Sequence, residues 1–193
     1  MAQKDGSPRS PREGLHGAWD RLVGPGATRA ENWLVVGYSV LFCSGLVLYV
    51  HLVPLEWNAL QQLVAVLIAF DVAGGIVANT TESGRRWWHR PSQTRGDHVR
   101  FVAYHVHPFV LALLFGGFTL LEAGLVYGVL IASTVTVLAA PNELRRPVAM
   151  VLFSAGLIVA LYLVSPPHGL EWFVPFLFLK LIPGHLVNDD RAR

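Results

Sequence analysis

Long apolar runs, rather than strict alternation or a helical stripe, dominate the order of residues along this chain. They cover Trp33–Val53, Leu60–Thr80, Phe101–Leu121, Leu125–Ala140, Pro147–Val164 and Leu170–Val187. Each is near the length of about twenty residues that carries a helix across a hydrocarbon core of roughly 30 Å. The pattern predicts an all-α, polytopic integral membrane protein, a six-helix transmembrane bundle. Only "LEAG" separates the third run from the fourth, which predicts a tight helical hairpin at that point.

Residues 1–32 are rich in Pro, Gly, Ser and charge, a composition that buries too little apolar surface to offset the entropy of ordering. They are expected to form a flexible N-terminal tail ahead of a transmembrane domain at 33–188, with a short second tail at 189–193. Trp19, Leu22 and Val23 give a weak signal for an amphipathic surface segment, although the composition favours a loose linker. The first apolar run is too long for a signal-peptide core, so no cleavage is expected.

Charge placement adds an orientation. Lys4, Arg9, Arg12, Arg21 and Arg29 precede the first run; Arg85, Arg86, Arg90, Arg95 and Arg100 lie around the second connection; Arg145 and Arg146 follow the fourth run; Arg191 and Arg193 end the chain. The intervening loops "PLEWNA", "LEAG" and "SPPHGLEW" contain no Lys or Arg. Under the positive-inside rule this alternation predicts both termini in the cytoplasm and residence in the cell membrane. The 193 residues are 53% hydrophobic with a net charge of +2, and the basic positions suit anionic headgroups of membrane lipid; a nucleic-acid partner has no support. The lone Cys43 excludes an intrachain disulfide and is expected to pack as a small apolar residue.

Two ionisable residues fall inside apolar runs, Asp71 in "VLIAFDVAGGIVANTT" and Lys180 in "FVPFLFLKLIPGH". A charge near the middle of a membrane helix costs at least about 2.5–3.5 kcal/mol, so such residues face the bundle interior and find partners. Pairing of Asp71 with Lys180 is the expected arrangement; Lys180 snorkelling toward the headgroups is the alternative. Gly74, Gly75 and Ala78 follow Asp71 at i+3, i+4 and i+7, a strip along which a neighbouring helix can approach. Pro108 and Pro183 interrupt two further runs and displace the carbonyls of Tyr104 and Leu179, and both lie beside histidines.

The segment "RRWWHRPSQTRGDHVRFVAYHVHP" poses the question of chemistry. His98 and His105 are seven apart and share a helical face, His107 faces elsewhere, and Asp97 is placed to cap that helix. With His185 and Asp189 of the last run, they fall in one half of the membrane. Imidazoles and carboxylates are what Zn²⁺ or non-haem iron requires, so His98, His105, His185 and Asp189 are candidate metal ligands, with Asp71 and Lys180 as candidate catalytic groups. Arg85, Arg86, Arg90, His89, His107 and Asn79 are candidate substrate-binding residues, the guanidinium groups because they offer paired donors to phosphate. The competing reading of Trp87, Trp88, His89 and Arg90 is interfacial anchoring, and of the arginines, topology signalling.

No H-E-x-x-H, paired C-x-x-C or dense histidine-cluster motif is present, and the patterns of membrane hydroxylases, desaturases and alcohol phosphotransferases are not matched. The expected function is an integral-membrane enzyme, metal-dependent in its sharpest form, acting on a lipid or isoprenoid-type substrate at the cytoplasmic interface. Alternatives are a small proton-coupled carrier using Asp71 and Lys180, or a non-catalytic scaffold. Gly124 and Gly128, spaced to let helices approach, serve packing within the chain or an oligomer.

Overall fold

The computed structural model describes residues 10–188. Among them every regular element is helical: α1 (Gly14–Val23), α2 (Arg29–Leu52), α3 (Ala59–Thr80), α4 (Glu82–Trp88), α5 (Arg95–Ala103), α6 (His107–Leu114), α7 (Leu120–Ala139), α8 (Arg145–Ile158, extended by a π-helical turn Val159–Leu163), α9 (Phe173–Leu181) and α10 (Pro183–Leu186). Four helices, Arg29–Leu52, Ala59–Thr80, Leu120–Ala139 and Arg145–Leu163, are long and apolar enough to cross a membrane. Their outer faces stay apolar where exposed: Leu41 and Leu48 on α2, Leu63 and Leu67 on α3, Val151 and Ile158 on α8. A soluble monomer rarely tolerates so much contiguous exposed apolar surface. The chain is therefore read as a membrane protein.

The helices begin where their sequences supply reciprocal caps. Thr28 with Glu31, Asn58 with Gln61, Thr94 with Asp97 and Thr119 with Glu122 each form a capping box in which both side chains bond the other residue's backbone N–H. Two sequence expectations change accordingly. Thr94, not Asp97, is the cap of α5, and Asp97 is its reciprocal partner. The turn before α7 lies at 115–119, where Gly117 has φ +87°, and "LEAG" belongs to the first turns of α7. The Thr119–Glu122 box, together with a glycine in the left-handed region, fixes that turn earlier than the apolar pattern alone suggested.

The third and sixth apolar runs are each broken at their proline. α5 and α6 are separated at 104–106, and Pro183 opens α10 after α9 has ended at Leu181. Side chains from other helices meet carbonyls at the two breaks and at the end of α6. Tyr127 Oη donates to Ala103 O at 2.8 Å, Asn79 Nδ2 to Lys180 O at 3.1 Å and Gln61 Nε2 to Leu114 O at 2.7 Å. In hydrocarbon an unmet carbonyl is costly, so these three donors are what let the helices stop.

Packing is organised around α3, which lies against α2 along its length and against α9, α10, α4 and α1. Gly74 meets Ser39 of α2 so closely that a β-carbon at residue 74 would reach 2.6 Å from Ser39 Oγ. Gly124 and Gly128, by contrast, have open space beside them, so neither serves packing within this chain.

The expected loose linker is corrected at 14–23, which form α1. Arg12 grips Asp20 with two bonds, Nε to Oδ2 at 2.9 Å and Nη2 to Oδ1 at 2.7 Å, while Trp19 Nε1 donates to Asn32 Oδ1 at 2.7 Å. Gly24, at φ +91°, turns the chain hard against the backbone of Ser83, whose N–H donates to Glu31 Oε1 and whose hydroxyl donates to Val23 O. Val23 is thereby buried against Val35 and Ala78. The signal missed in the sequence was Gly24: a left-handed glycine directly after an amphipathic segment is how a helix is stopped and folded back.

Candidate functional site

The centre of the site is an ion pair. Lys180 Nζ lies 2.6 Å from Asp71 Oδ2, with the lysine side chain 3% exposed and the carboxylate 42% exposed. This is the expected pairing, and it removes the snorkelling alternative. Space for the lysine comes from Gly75: a β-carbon there would collide with Lys180 Cε and Cδ. The small residues after Asp71 thus have two roles, Gly74 admitting helix α2 and Gly75 forming the socket for Lys180. Asn79, one turn further on and buried, holds the Lys180 backbone through its carbonyl.

The proline break in the third run delivers two histidines to the pair. His107 Nε2 lies 3.9 Å from Asp71 Oδ2, and His105 is buried next to it with ring centroids 5.5 Å apart. His105 Nδ1 bonds Phe101 O at 2.9 Å, so as the donor to that carbonyl it leaves Nε2 as its free basic nitrogen. Asp71, Lys180 and His105 line a cavity of about 290 Å³ whose remaining walls include Trp19, Leu22 and Val23 of α1, Val35 of α2, Phe70 of α3, Trp88 of α4 and Phe101 of α5. It is an apolar chamber with a charged floor. Its outer wall is α1, the segment the sequence left as a linker.

Behind the Trp88–Phe101 wall stands a second histidine group. His98 Nδ1 and His185 Nε2 are 3.0 Å apart, His89 lies against His98 with centroids 5.0 Å apart, and Phe101 stacks on His185 at 4.2 Å. Phe101 also meets His105 edge-on at 4.9 Å, so its ring separates the two groups. Among the described residues His185 Nδ1 and His107 Nδ1 have no hydrogen-bond partner. A buried orphan acceptor is cheaper than a buried orphan N–H, which favours the His185 tautomer that donates from Nε2 to His98.

The four candidate metal ligands are not gathered. His98 and His185 meet, His105 is turned to Phe101 O on the far side of that ring, and Asp189 lies outside the described residues. Among the described residues no three His, Cys, Asp or Glu groups are placed to hold one metal ion. His98 and His105 do not share a helical face, because the break at 104–106 ends α5 before His105.

The remaining candidates divide. Asn79 and His107 belong to the ion-pair site. Arg86 pairs with Glu82 at 2.7 Å on the exposed side of α4, and Arg90 lies 3.8 Å over the Trp87 ring while donating to Trp87 O. His89 joins the His98 group, and Arg85 lines a separate cavity. Trp88 is a wall of the site, packed on Phe101 and His185, rather than an outward anchor. Sequence reasoning read Trp88 as an anchor, did not see Gly75 as a socket and missed Phe101 and Tyr127 altogether; no local signal separates such aromatics from those at an interface.

No family model matches this chain, and no curated protein or solved structure is similar to it at a meaningful level. The reading of function therefore rests on the site itself.

Proposed function

We propose that this chain is an integral-membrane enzyme that performs acid–base chemistry on a lipid or isoprenoid-type substrate, with six membrane-crossing segments and both termini in the cytoplasm. The orientation is supported by the basic loops, which all lie at the end of the bundle where α3 ends and α8 begins. On this count the broken pairs α5–α6 and α9–α10 complete the third and sixth segments.

One observation carries the reading: an Asp–Lys ion pair with His105 beside it forms the floor of a chamber whose walls are otherwise mostly apolar, and His107 lies 3.9 Å from Asp71. Such a site receives a molecule with a polar head and a hydrocarbon body. Asp71, the more open partner, takes the proton from the bound head, and the Lys180 ammonium offsets the negative charge that develops there. His107, 3.9 Å from Asp71, and His105 then relay that proton away. The carrier reading needs a polar route on both sides of this floor. At the opposite end the bundle is filled by Trp57, Phe115, Phe118, Leu170 and Phe173, which supports one-sided access.

The test is comparative lipid mass spectrometry on membranes holding the wild-type chain, Asp71→Asn or His107→Gln. A lipid species that changes with the wild type and not with either variant supports the enzyme. No changed species, together with Asp71-dependent proton flux in vesicles, overturns it in favour of a carrier. One equivalent of zinc or iron in the purified protein would restore the metal-dependent version.

A further inference from the structure

A second cavity, of about 250 Å³, lies at the basic end of the bundle on the other side of Asn79 from the ion-pair chamber. Arg85 of α4 and Arg146 of α8 line it, brought together from two different connections. The rest is mostly hydrocarbon: Ile76 of α3, Met150 of α8, Leu179 of α9 and Val187 after α10. Pro183 and Gly184, at the break between α9 and α10, also line it.

We propose that this cavity binds one anionic phospholipid molecule, its phosphate between Arg85 and Arg146 and an acyl chain along Ile76, Met150, Leu179 and Val187. Charge complementarity identifies the occupant. Two guanidinium groups lining one cavity suit a phosphate, each with five N–H donors, so a phosphate adds to whatever else the arginines hold. The apolar part of the lining disfavours a fully hydrated small anion and accepts an acyl chain. Arg86, adjacent in sequence, shows the contrast: it points away and pairs with Glu82. Placement at headgroup level rests on the orientation proposed above, but the experiment reads lipid retention and not turnover, so the two readings fail separately.

The experiment is native mass spectrometry of the full chain in detergent, titrated with phosphatidylglycerol or phosphatidylcholine, with glycerol 3-phosphate as soluble competitor. The wild type should retain phosphatidylglycerol about tenfold more tightly than phosphatidylcholine, and Arg85→Ala/Arg146→Ala should lower that retention by about tenfold or more, as expected for charged hydrogen bonds. Arg86→Ala removes a neighbouring charge and should leave retention unchanged. Met150→Trp keeps both arginines, fills the apolar part from a half-exposed position, and should also lose the lipid. Equal loss in Arg86→Ala would show a diffuse basic surface and overturn the site. So would equal retention of phosphatidylcholine, displacement by glycerol 3-phosphate at matching concentration, or undiminished retention in Met150→Trp. If the double arginine variant does not fold, the Arg86 and Met150 variants decide the matter.

Discussion

The two ends of this bundle solve the same problem in opposite ways. At the basic end, helices α5 and α9 stop short, side chains of Tyr127 and Asn79 receive their carbonyls, and an ion pair and five histidines occupy the space released. At the other end, Trp57 meets Phe115 edge-on at 5.1 Å, Phe42 meets Trp172 at 5.0 Å, and Phe118, Leu170 and Phe173 are buried among them. Aromatic packing fills that end, and the helix-end carbonyl of Leu114 is met there by Gln61 Nε2. Among the described residues, Lys180, His105, His107 and His185 all lie at or beside a helix break, which supplies room for them and carbonyls that call for nearby donors.

The largest effect is expected at the ion pair. Lys180 is almost wholly buried while Asp71 opens to the chamber, so the two single substitutions should not cost the same. Asp71→Asn strands a buried ammonium and is expected to destabilise by about 3 kcal/mol or more. Lys180→Met leaves a carboxylate that has access to the chamber, and should cost distinctly less. Thermal unfolding in detergent measures both, and equal losses would mean that Asp71 is as enclosed as its partner.

Next in size is Gly75→Ala, which adds only a methyl but adds it where Lys180 lies. Overpacking of this kind costs about 1–3 kcal/mol, and turnover or flux should fall with it because the ammonium is pushed away from Asp71. Alanine at Gly124 or Gly128, where space is open, should change neither quantity. At the aromatic end, Phe173→Leu should cost about 1 kcal/mol and leave function untouched, since it repacks a core far from the charged floor.

The smallest effect is a local pH response of α1. Arg12 holds the Asp20 carboxyl down from 3.8 to about 2, chiefly through their side-chain bonds. A carboxyl depressed in the folded state stabilises above its unfolded value and loses that contribution as pH falls toward the folded one. Trp19 fluorescence should therefore report α1 docked at pH 5 and loosening between about pH 4 and 2. Asp20→Asn should remove that transition, and its persistence in the variant would assign it to another group.

Much of this was legible in the residues themselves. Apolar run lengths are set by the thickness of the bilayer, so the helical class and the four long helices could be read directly. Desolvation cost is likewise a property of residue type, which is why Asp71 and Lys180 stood out and their pairing was foreseen. Pro108 and Pro183 marked the two breaks because a missing N–H and a locked φ act locally. What a residue pattern could not convey was which groups meet once a helix has been interrupted. The break before His105 removed the shared face on which the metal expectation depended, and placed that histidine with Asp71 and His107 instead of His98 and His185.

That costly groups lie in apolar surroundings follows from the order of residues alone, because hydrophobicity and length are summed along the chain. That α1 walls the chamber, that Gly75 is the lysine's socket and that Phe101 divides the imidazoles into two groups emerges from the packing of helices. Those outcomes depend on distances between segments remote in the chain. Such distances follow from how whole helices pack, not from the preferences of neighbouring residues.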